Sequence, residues 1–202
     1  NDPSWQTAEP LWAAAERQGI RSAVFFWVGS EGPWRGVRAR HFEAPFDDEV
    51  PESAQVDRIL AWLDLPPAER PRLVLSWWKG ADRDGHRSGP DSEEVGKAMA
   101  EQDAQLRRLL EGLDARDAWK DVTLLVVSDH GMAASSEGVD LRSALGEHGI
   151  GAEVTPFGGV ALVRLEDPSR RAQALERLHA LPGVRAFASD ALPAERRYGP
   201  TD

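Results

Sequence analysis

Length, composition and charge already exclude several classes of protein. The 202 residues are enough for an α/β domain with a sizeable buried core, and 24 Lys and Arg against 34 Asp and Glu give a net charge of −10. This acidic balance argues against a protein that binds nucleic-acid duplexes, which would present a basic face. The chain contains no cysteine, so His and carboxylates are the strong metal ligands that remain.

Helical and strand patterns alternate along the first part of the chain. Pro10 and Gly19 flank a helical segment, since Pro suits the first helical turn and Gly is typical of a helix end. Two short apolar runs, RSAVFFWVGS at 21–30 and RLVLSWW at 72–78, predict buried strands. Between them, a Gly- and Pro-rich stretch favours a short edge strand near Val37, and apolar residues at helical spacing up to Leu63 predict a second helix.

The pattern continues beyond the polar loop that follows residue 78. Apolar residues step by three and four positions from Val95 to Leu113, which predicts a long amphipathic helix. The segment VTLLVVSDHGM, residues 122–132, begins with an uninterrupted apolar run, which predicts a third strand buried on both faces. After it come a polar helix-like piece, an apolar strand at 158–165, a helix over 170–179 and a strand at 183–189. This order predicts an α/β fold with a mostly parallel sheet and helices on both faces.

Two Asp–His pairs follow predicted strands. The motif D-x-x-G-H-x-x-G-P, with Asp82 and His86, follows the second strand, and Asp129 and His130 follow the third. The carboxyl ends of parallel strands meet at one edge of a sheet, and we expect Gly85 to let the first loop fold back so that both ligands face one ion. Carboxylate and imidazole together suit zinc, and two such pairs predict a two-metal centre that clamps a phosphoryl group. Each pair alone is also typical of an ordinary capped or glycine-rich turn.

Several short motifs together are characteristic of a known family. They are EPLW, FFWVGS, LPPAERP, DRDGHRSGP, VVSDHGM and LPAERRYG. With these motifs the chain resembles the nucleotide pyrophosphatase/phosphodiesterase branch of the alkaline phosphatase superfamily, from about Asp2 to the last residue. The resemblance implies an alkaline-phosphatase-like fold, of which residues 1–202 form a single, partial phosphodiesterase domain.

The resemblance also implies a reaction and roles for individual residues. It implies a phosphodiesterase with two Zn²⁺ or other divalent ions, in which a Thr or Ser attacks phosphorus and water hydrolyses the covalent intermediate. By match, Asp82 and His86 are ligands of the ion that activates this water, and Asp129 and His130 are ligands of the ion that holds the nucleophile. Trp77 stands where the family often has a tyrosine that stacks on the nucleobase, although core packing explains this tryptophan equally well. The implied substrate is a small-molecule nucleotide or another phosphodiester.

The chain departs from the family pattern in several places. The family's nucleophile and a further zinc-binding Asp lie upstream of EPLW, and a third His lies downstream of RRYG. We therefore expect the 202-residue chain alone to be inactive and to bind zinc weakly. Val28 replaces a Pro, and Lys79, Gly80 and Ala81 replace a segment with Glu and Pro, so the choice between nucleotide and lipid head group stays open.

Two other functions and several localisations remain consistent with the sequence. One alternative is a non-catalytic relative that binds a ligand or protein in the same cleft, and the other is a phosphomonoesterase or sulfatase-type relative. No apolar run approaches the roughly 18 residues of a membrane helix, and no signal peptide is recognisable. Because the first residue is Asn, we expect the native N-terminus upstream, and the resemblance suggests an exported protein.

Overall fold

The chain divides into two compact units. The computed structural model describes residues 6–135, 137–193 and 196. By their contacts, the units are Asn1–Ala134 and Ser135–Asp202. Two compact units can be parts of one domain, so the single partial domain over residues 1–202 stays a prediction.

The first unit contains a parallel sheet with helices between its strands. Its elements are α1 (Leu11–Arg17), β1 (Ser22–Phe25), β2 (His41–Glu43), α2 (Glu52–Leu63), β3 (Leu73–Ser76), α3 (Asp82–Ser88) and α4 (Glu93–Asp114). The strands lie in the order β2–β1–β3 and both pairs are parallel, with Ala23 opposite His41 and Val74. The predicted α/β class with a parallel sheet is confirmed. The edge strand lies at β2 and not near Val37, which forms only an isolated bridge with Trp34.

Helices cover both faces of this sheet because the side chains of β1 alternate. Val24 packs with Trp12 of α1 on one face. Ala23 and Phe25 pack on the other face, in a core cluster that includes Ile59 of α2 and residues of α4. All four residues of β1 are buried, as expected for a central strand of a parallel sheet.

The long helix α4 is amphipathic, as its spacing predicts. Ser92 caps its N-terminus, and the Ser92 side chain accepts a hydrogen bond from the Val95 backbone N–H at 3.3 Å. Leu109 and Leu113 are buried and join the core cluster of the sheet. Within the described ranges, no helix combines the length and the apolar character that crossing a membrane requires.

Residues 122–128 do not form the buried third strand that the sequence predicts. They have no regular secondary structure, and Leu125, Val126 and Val127 are 78%, 71% and 74% exposed. An apolar run becomes a strand only when a neighbour satisfies its backbone groups. In the part of the chain that the structure describes, β3 pairs with β1 alone, and nothing forms a ladder with this segment. Only its start is held, since Val122 and Leu124 pack against the core cluster.

The second unit is built around an antiparallel hairpin. Its elements are α5 (Leu141–Gly146), β4 (Ala152–Phe157), β5 (Val160–Leu165) and α6 (Arg171–His179). Ala152 lies opposite Leu165 in the hairpin, and its core comes from Leu145 and Leu178 of the two helices. The strand and helix predicted over 158–165 and 170–179 are confirmed. The strand predicted at 183–189 is wrong, because these residues find no ladder partner among those described.

Candidate functional site

The first Asp–His pair lies on a helix and not in the predicted loop. Asp82 is the first residue of α3, and His86 follows one helical turn later on the same face, so that Asp82 Oδ1 is 3.5 Å from His86 Nε2. Gly85 is a buried residue within this helix. The prediction that Gly85 folds a loop back is therefore wrong, and helical spacing brings the two side chains together instead.

The second pair lies in the irregular segment that follows residue 128. His130 Nε2 is 3.6 Å from Asp129 Oδ2 and 4.0 Å from Asp82 Oδ1. The structure thus brings all four candidate ligands into one cluster, with Asp82 as the common neighbour of both histidines. The cluster is open to solvent, since the side chains of Asp82, His86, Asp129 and His130 are 49%, 70%, 77% and 58% exposed.

Local hydrogen bonds orient the His130 ring. Its Nδ1 lies 3.0 Å from the Gly131 carbonyl oxygen, which can only accept, so Nδ1 carries the proton and Nε2 faces the carboxylates. The His130 backbone N–H donates to Asp129 Oδ1 at 3.0 Å. The Gly131 carbonyl, followed by the charges of Asp129 and Asp82, raises the pKa of His130 above its ordinary value. A carbonyl on the second ring nitrogen is the usual support of a metal-binding histidine.

The donor types in this cluster fit zinc, whereas the number of donors falls short. Each pair offers one carboxylate and one imidazole, and zinc accepts both. A catalytic zinc normally has three protein ligands. Among the described residues, no three His, Asp or Glu side chains are grouped so that they could hold one ion. These residues can therefore serve as part of a metal centre that further ligands complete.

Trp77 belongs to an aromatic cluster at the carboxyl edge of the sheet. Its ring is 5.4 Å from Phe46, which is 5.3 Å from the ring of Phe26 just after β1. Trp77 and Trp78 are both half-buried against the core cluster. β3 ends at Ser76, before either tryptophan. Contact between Trp77 and substrate stays a prediction.

Two basic residues next to the site hold an acidic loop, which the sequence pattern does not reveal. Lys79 Nζ donates to the Asp48 carbonyl oxygen at 2.9 Å. Arg83 of α3 donates to Glu49 Oε1 at 3.1 Å and also pairs with the Asp48 carboxylate. The segment that departs from the family pattern therefore ties the start of α3 to the loop before α2. Scattered charges in loops give no signal of such a long-range pairing.

The chain is similar to one protein family and to curated proteins named phosphodiesterase or pyrophosphatase. The family model described as type I phosphodiesterase / nucleotide pyrophosphatase matches residues 1–200. An uncharacterized pyrophosphatase/phosphodiesterase of Schizosaccharomyces pombe is 41% identical over 67% of this chain and 28% of its own length. A venom phosphodiesterase of Crotalus durissus collilineatus is 38% identical over 65% of this chain and 16% of its own. Human ectonucleotide pyrophosphatase/phosphodiesterase family member 1 is 34% identical over 67% of this chain and 14% of its own length.

Solved structures with the same fold include ectonucleotide pyrophosphatase/phosphodiesterase 5 from two mammals. An inactive variant of the murine protein, in complex with AMP, superposes with a TM-score of 0.83 and 25% identity, over 96% of this chain and 51% of that chain. The human protein superposes with a TM-score of 0.83 and 26% identity, over 98% of this chain and 52% of that chain. The chain thus spans about half the length of these structures and less than a third of the curated relatives named above.

Proposed function

The chain belongs to the type I phosphodiesterase / nucleotide pyrophosphatase family, and from this premise we propose that the complete protein hydrolyses phosphodiester or pyrophosphate bonds in nucleotides. The observation that carries the proposal is the approach of two Asp–His pairs to one another through Asp82. Relatives named pyrophosphatase or phosphodiesterase, which match about two thirds of the chain, support the same reaction class.

The proposed centre binds two divalent ions, for which zinc is the best match to the donors. Asp82 and His86 hold one ion, and Asp129 and His130 hold the other. When bound, such ions polarise a phosphoryl oxygen and lower the pKa of a coordinated hydroxyl or water. The remaining ligands and the Thr or Ser nucleophile belong to parts of the complete protein outside this chain.

Within this proposal the residues of the chain position ligands and substrate. The Gly131 carbonyl holds the proton on Nδ1 of His130, which leaves the lone pair of Nε2 available to an ion. Asp82 Oδ1 lies 3.5 Å from His86 Nε2 and 4.0 Å from His130 Nε2, so Asp82 links the two pairs. Trp77 offers a flat ring to a nucleobase, and the AMP bound by the murine relative supports a nucleotide as the substrate.

Zinc titration calorimetry on the complete protein tests the metal centre. We expect Asp82→Ala and Asp129→Ala each to lower the number of bound zinc ions or to weaken binding by at least about 10-fold, the lower end of what is typical for groups that support a metal. Asp91→Ala is the matched control, because Asp91 is an exposed aspartate outside both pairs. Unchanged stoichiometry and affinity in both site variants would contradict the assignment.

A comparison of three chromogenic substrates tests the reaction class. We expect faster hydrolysis of bis-p-nitrophenyl phosphate than of p-nitrophenyl phosphate or p-nitrophenyl sulfate. Preference for the monoester or the sulfate would instead identify a phosphomonoesterase or sulfatase-type relative. Nucleotide binding without hydrolysis of any of the three would identify a non-catalytic relative that uses the cleft for binding.

We also propose that the complete protein is exported. Relatives named venom phosphodiesterase and ectonucleotide pyrophosphatase support this localisation. Fractionation of the source cells, with an antibody against this chain, should recover the protein outside the cytosol. Recovery in the cytosolic fraction alone would contradict export.

A further inference from the structure

Helix α3 contacts the segment that carries the second Asp–His pair through Gly85. A methyl group built on Gly85 would lie 2.4 Å from Met132 Sδ and 3.0 Å from Met132 Cε. The thioether therefore occupies the space that a Cβ would fill in any other residue. Val95 Cγ2, 3.8 Å from the same position, borders it. Gly85 lies between Asp82 and His86 in the chain, and Met132 lies two residues after His130.

The helix itself gives no reason for a glycine at this position. Glycine inside a helix is less stable than alanine, because it loses more backbone freedom on folding. Gly85 is not among the glycines of the chain with a positive φ, so its backbone does not require glycine either. By contrast, a methyl group on Gly96 of α4 would meet open space. The close approach of Met132 is the feature that distinguishes Gly85 from Gly96.

Little else holds the segment around the second pair. In the described part of the chain, no backbone–backbone hydrogen bond involves residues 123–131. Leu125 to Val127 are exposed, and the closest polar link to α3 is the 4.0 Å approach of His130 to Asp82. The apolar contact of Gly85 with Met132, two residues after His130, is thus a local constraint on the position of these ligands. Methionine suits this role because its unbranched thioether fills irregular gaps.

We propose that Gly85 and Met132 are a positioning pair, which docks the Asp129–His130 segment on α3 and so sets the separation of the two Asp–His pairs. The inference rests on the proposed metal centre and adds two residues that act through the ligands and do not touch the ions. Loss of the contact from either side frees the segment and weakens zinc binding.

Gly85→Ala breaks the contact from the side of the helix, since the new methyl group takes the place of the thioether. Gly96→Ala is the matched control, being the same change in a helix with open space. Met132→Ala breaks the contact from the other side and leaves α3 untouched, so a folding defect of the helix cannot explain its effect. Met99→Ala is its control, because Met99 is 54% exposed. The double variant Gly85→Ala/Met132→Ala completes a double-mutant cycle.

Methyl NMR of the complete protein labelled at its methionine methyl groups reports the contact without any activity. The Met132 signal is assigned by its loss in Met132→Ala, and the exposed Met99 gives the reference position. In metal-free protein, Gly85→Ala should move the Met132 signal towards that of Met99, whereas Gly96→Ala should not. An unmoved Met132 signal in Gly85→Ala would overturn the inference.

Zinc titration then tests whether the contact positions the ligands. We expect Gly85→Ala and Met132→Ala each to weaken zinc binding by about 10-fold, as is typical when supporting groups of a metal site are lost. The double variant should be no weaker than the worse single variant, because both changes remove one contact. Wild-type affinity in Gly85→Ala, with the Met132 signal displaced, overturns the positioning pair and leaves the proposed function standing. If the wild-type protein binds no zinc, both the positioning pair and the proposed function are overturned. The wild-type titration is therefore done before any variant is made.

Discussion

At the residue scale, Asp82 differs from the other candidate ligands because its Oδ1 lies close to both histidines. The distance is 3.5 Å to His86 Nε2 and 4.0 Å to His130 Nε2. Among the described residues, Asp129 forms an ion pair with its neighbour His130 alone, at 3.6 Å. Removal of Asp82 therefore takes a ligand from one pair and a charged neighbour from the other. In the calorimetric comparison we expect the loss of zinc affinity to be larger for Asp82→Ala than for Asp129→Ala.

Trp77 is the residue on which substrate choice depends in this proposal. Stacking of a base on an aromatic ring contributes roughly 1–3 kcal/mol. Trp77→Ala in the complete protein should therefore raise KM for a dinucleotide-like substrate by about 5-fold or more, and should affect bis-p-nitrophenyl phosphate less. The same stacking predicts a preference for nucleotides over choline phospholipids, because a choline head group has no flat ring to stack on Trp77.

Trp77 also packs on Phe46 and on the core, so stability must be separated from binding. Trp77→Phe keeps an aromatic ring and should retain most of the preference for the dinucleotide. Equal losses of activity on both substrates in Trp77→Ala would mean that Trp77 stabilises the fold and does not bind the nucleobase.

At the scale of elements, a bidentate ion pair joins the C-terminal ends of α2 and α4. Arg116 Nε donates to Asp64 Oδ1 at 2.8 Å, and Arg116 Nη2 donates to Asp64 Oδ2 at 2.6 Å. The Arg116 guanidinium lowers the pKa of Asp64 below its ordinary value. A carboxyl whose pKa is lower in the folded state stabilises the protein above its unfolded pKa, about 3.9, and loses this contribution as the pH falls through the folded value.

Asp64→Asn should therefore lower stability slightly at neutral pH and reduce the loss of stability below about pH 4. The effect should shrink at high salt, because the pair is exposed to solvent. Urea unfolding at several pH values and two salt concentrations measures both trends, with Asp91→Asn as the control. If stability of the Asp64→Asn protein fell at low pH as much as that of the wild type, the ion pair would not contribute to stability.

Most elements of the first unit could be predicted from local patterns, because hydrophobic periodicity reports which face of an element is buried. This holds for α1, β1, α2, β3 and α4. The segment at 122–128 could not be predicted in this way, since a strand depends on a partner that is distant in the chain. The two Asp–His motifs predicted which side chains meet, whereas the Gly85–Met132 contact joins residues whose own patterns carry no sign of each other.

At the scale of the whole molecule, the described residues supply only part of the proposed metal centre. The four candidate ligands provide two donors for each ion, and a catalytic zinc normally takes three. Solved relatives are about twice as long as the stretch that this chain matches. The proposed function therefore requires further ligands and a nucleophile beyond the four described candidates.

We expect the purified 202-residue chain to show no hydrolysis of bis-p-nitrophenyl phosphate. Its zinc affinity should be at least about 10-fold below that of the complete protein, because each missing ligand removes coordination energy and preorganisation. A side-by-side assay and titration of the two proteins measures both. Robust turnover by the 202-residue chain, abolished by a chelator, would place the nucleophile within it.

The exposed segment from Leu125 to Val127 has a consequence for how this chain behaves in solution. The surrounding stretch, residues 122–128, is uncharged, rich in β-branched and aliphatic residues and free of proline. Segments of this length and composition assemble into intermolecular cross-β structure. Val126→Lys should therefore increase the soluble yield of the isolated chain and slow thioflavin-positive assembly. Val28→Lys, at a valine that is 70% exposed outside the segment, is the matched control, and equal gains from both variants would contradict the idea. The stretch that leads to Asp129 and His130 would then also limit the colloidal stability of the chain.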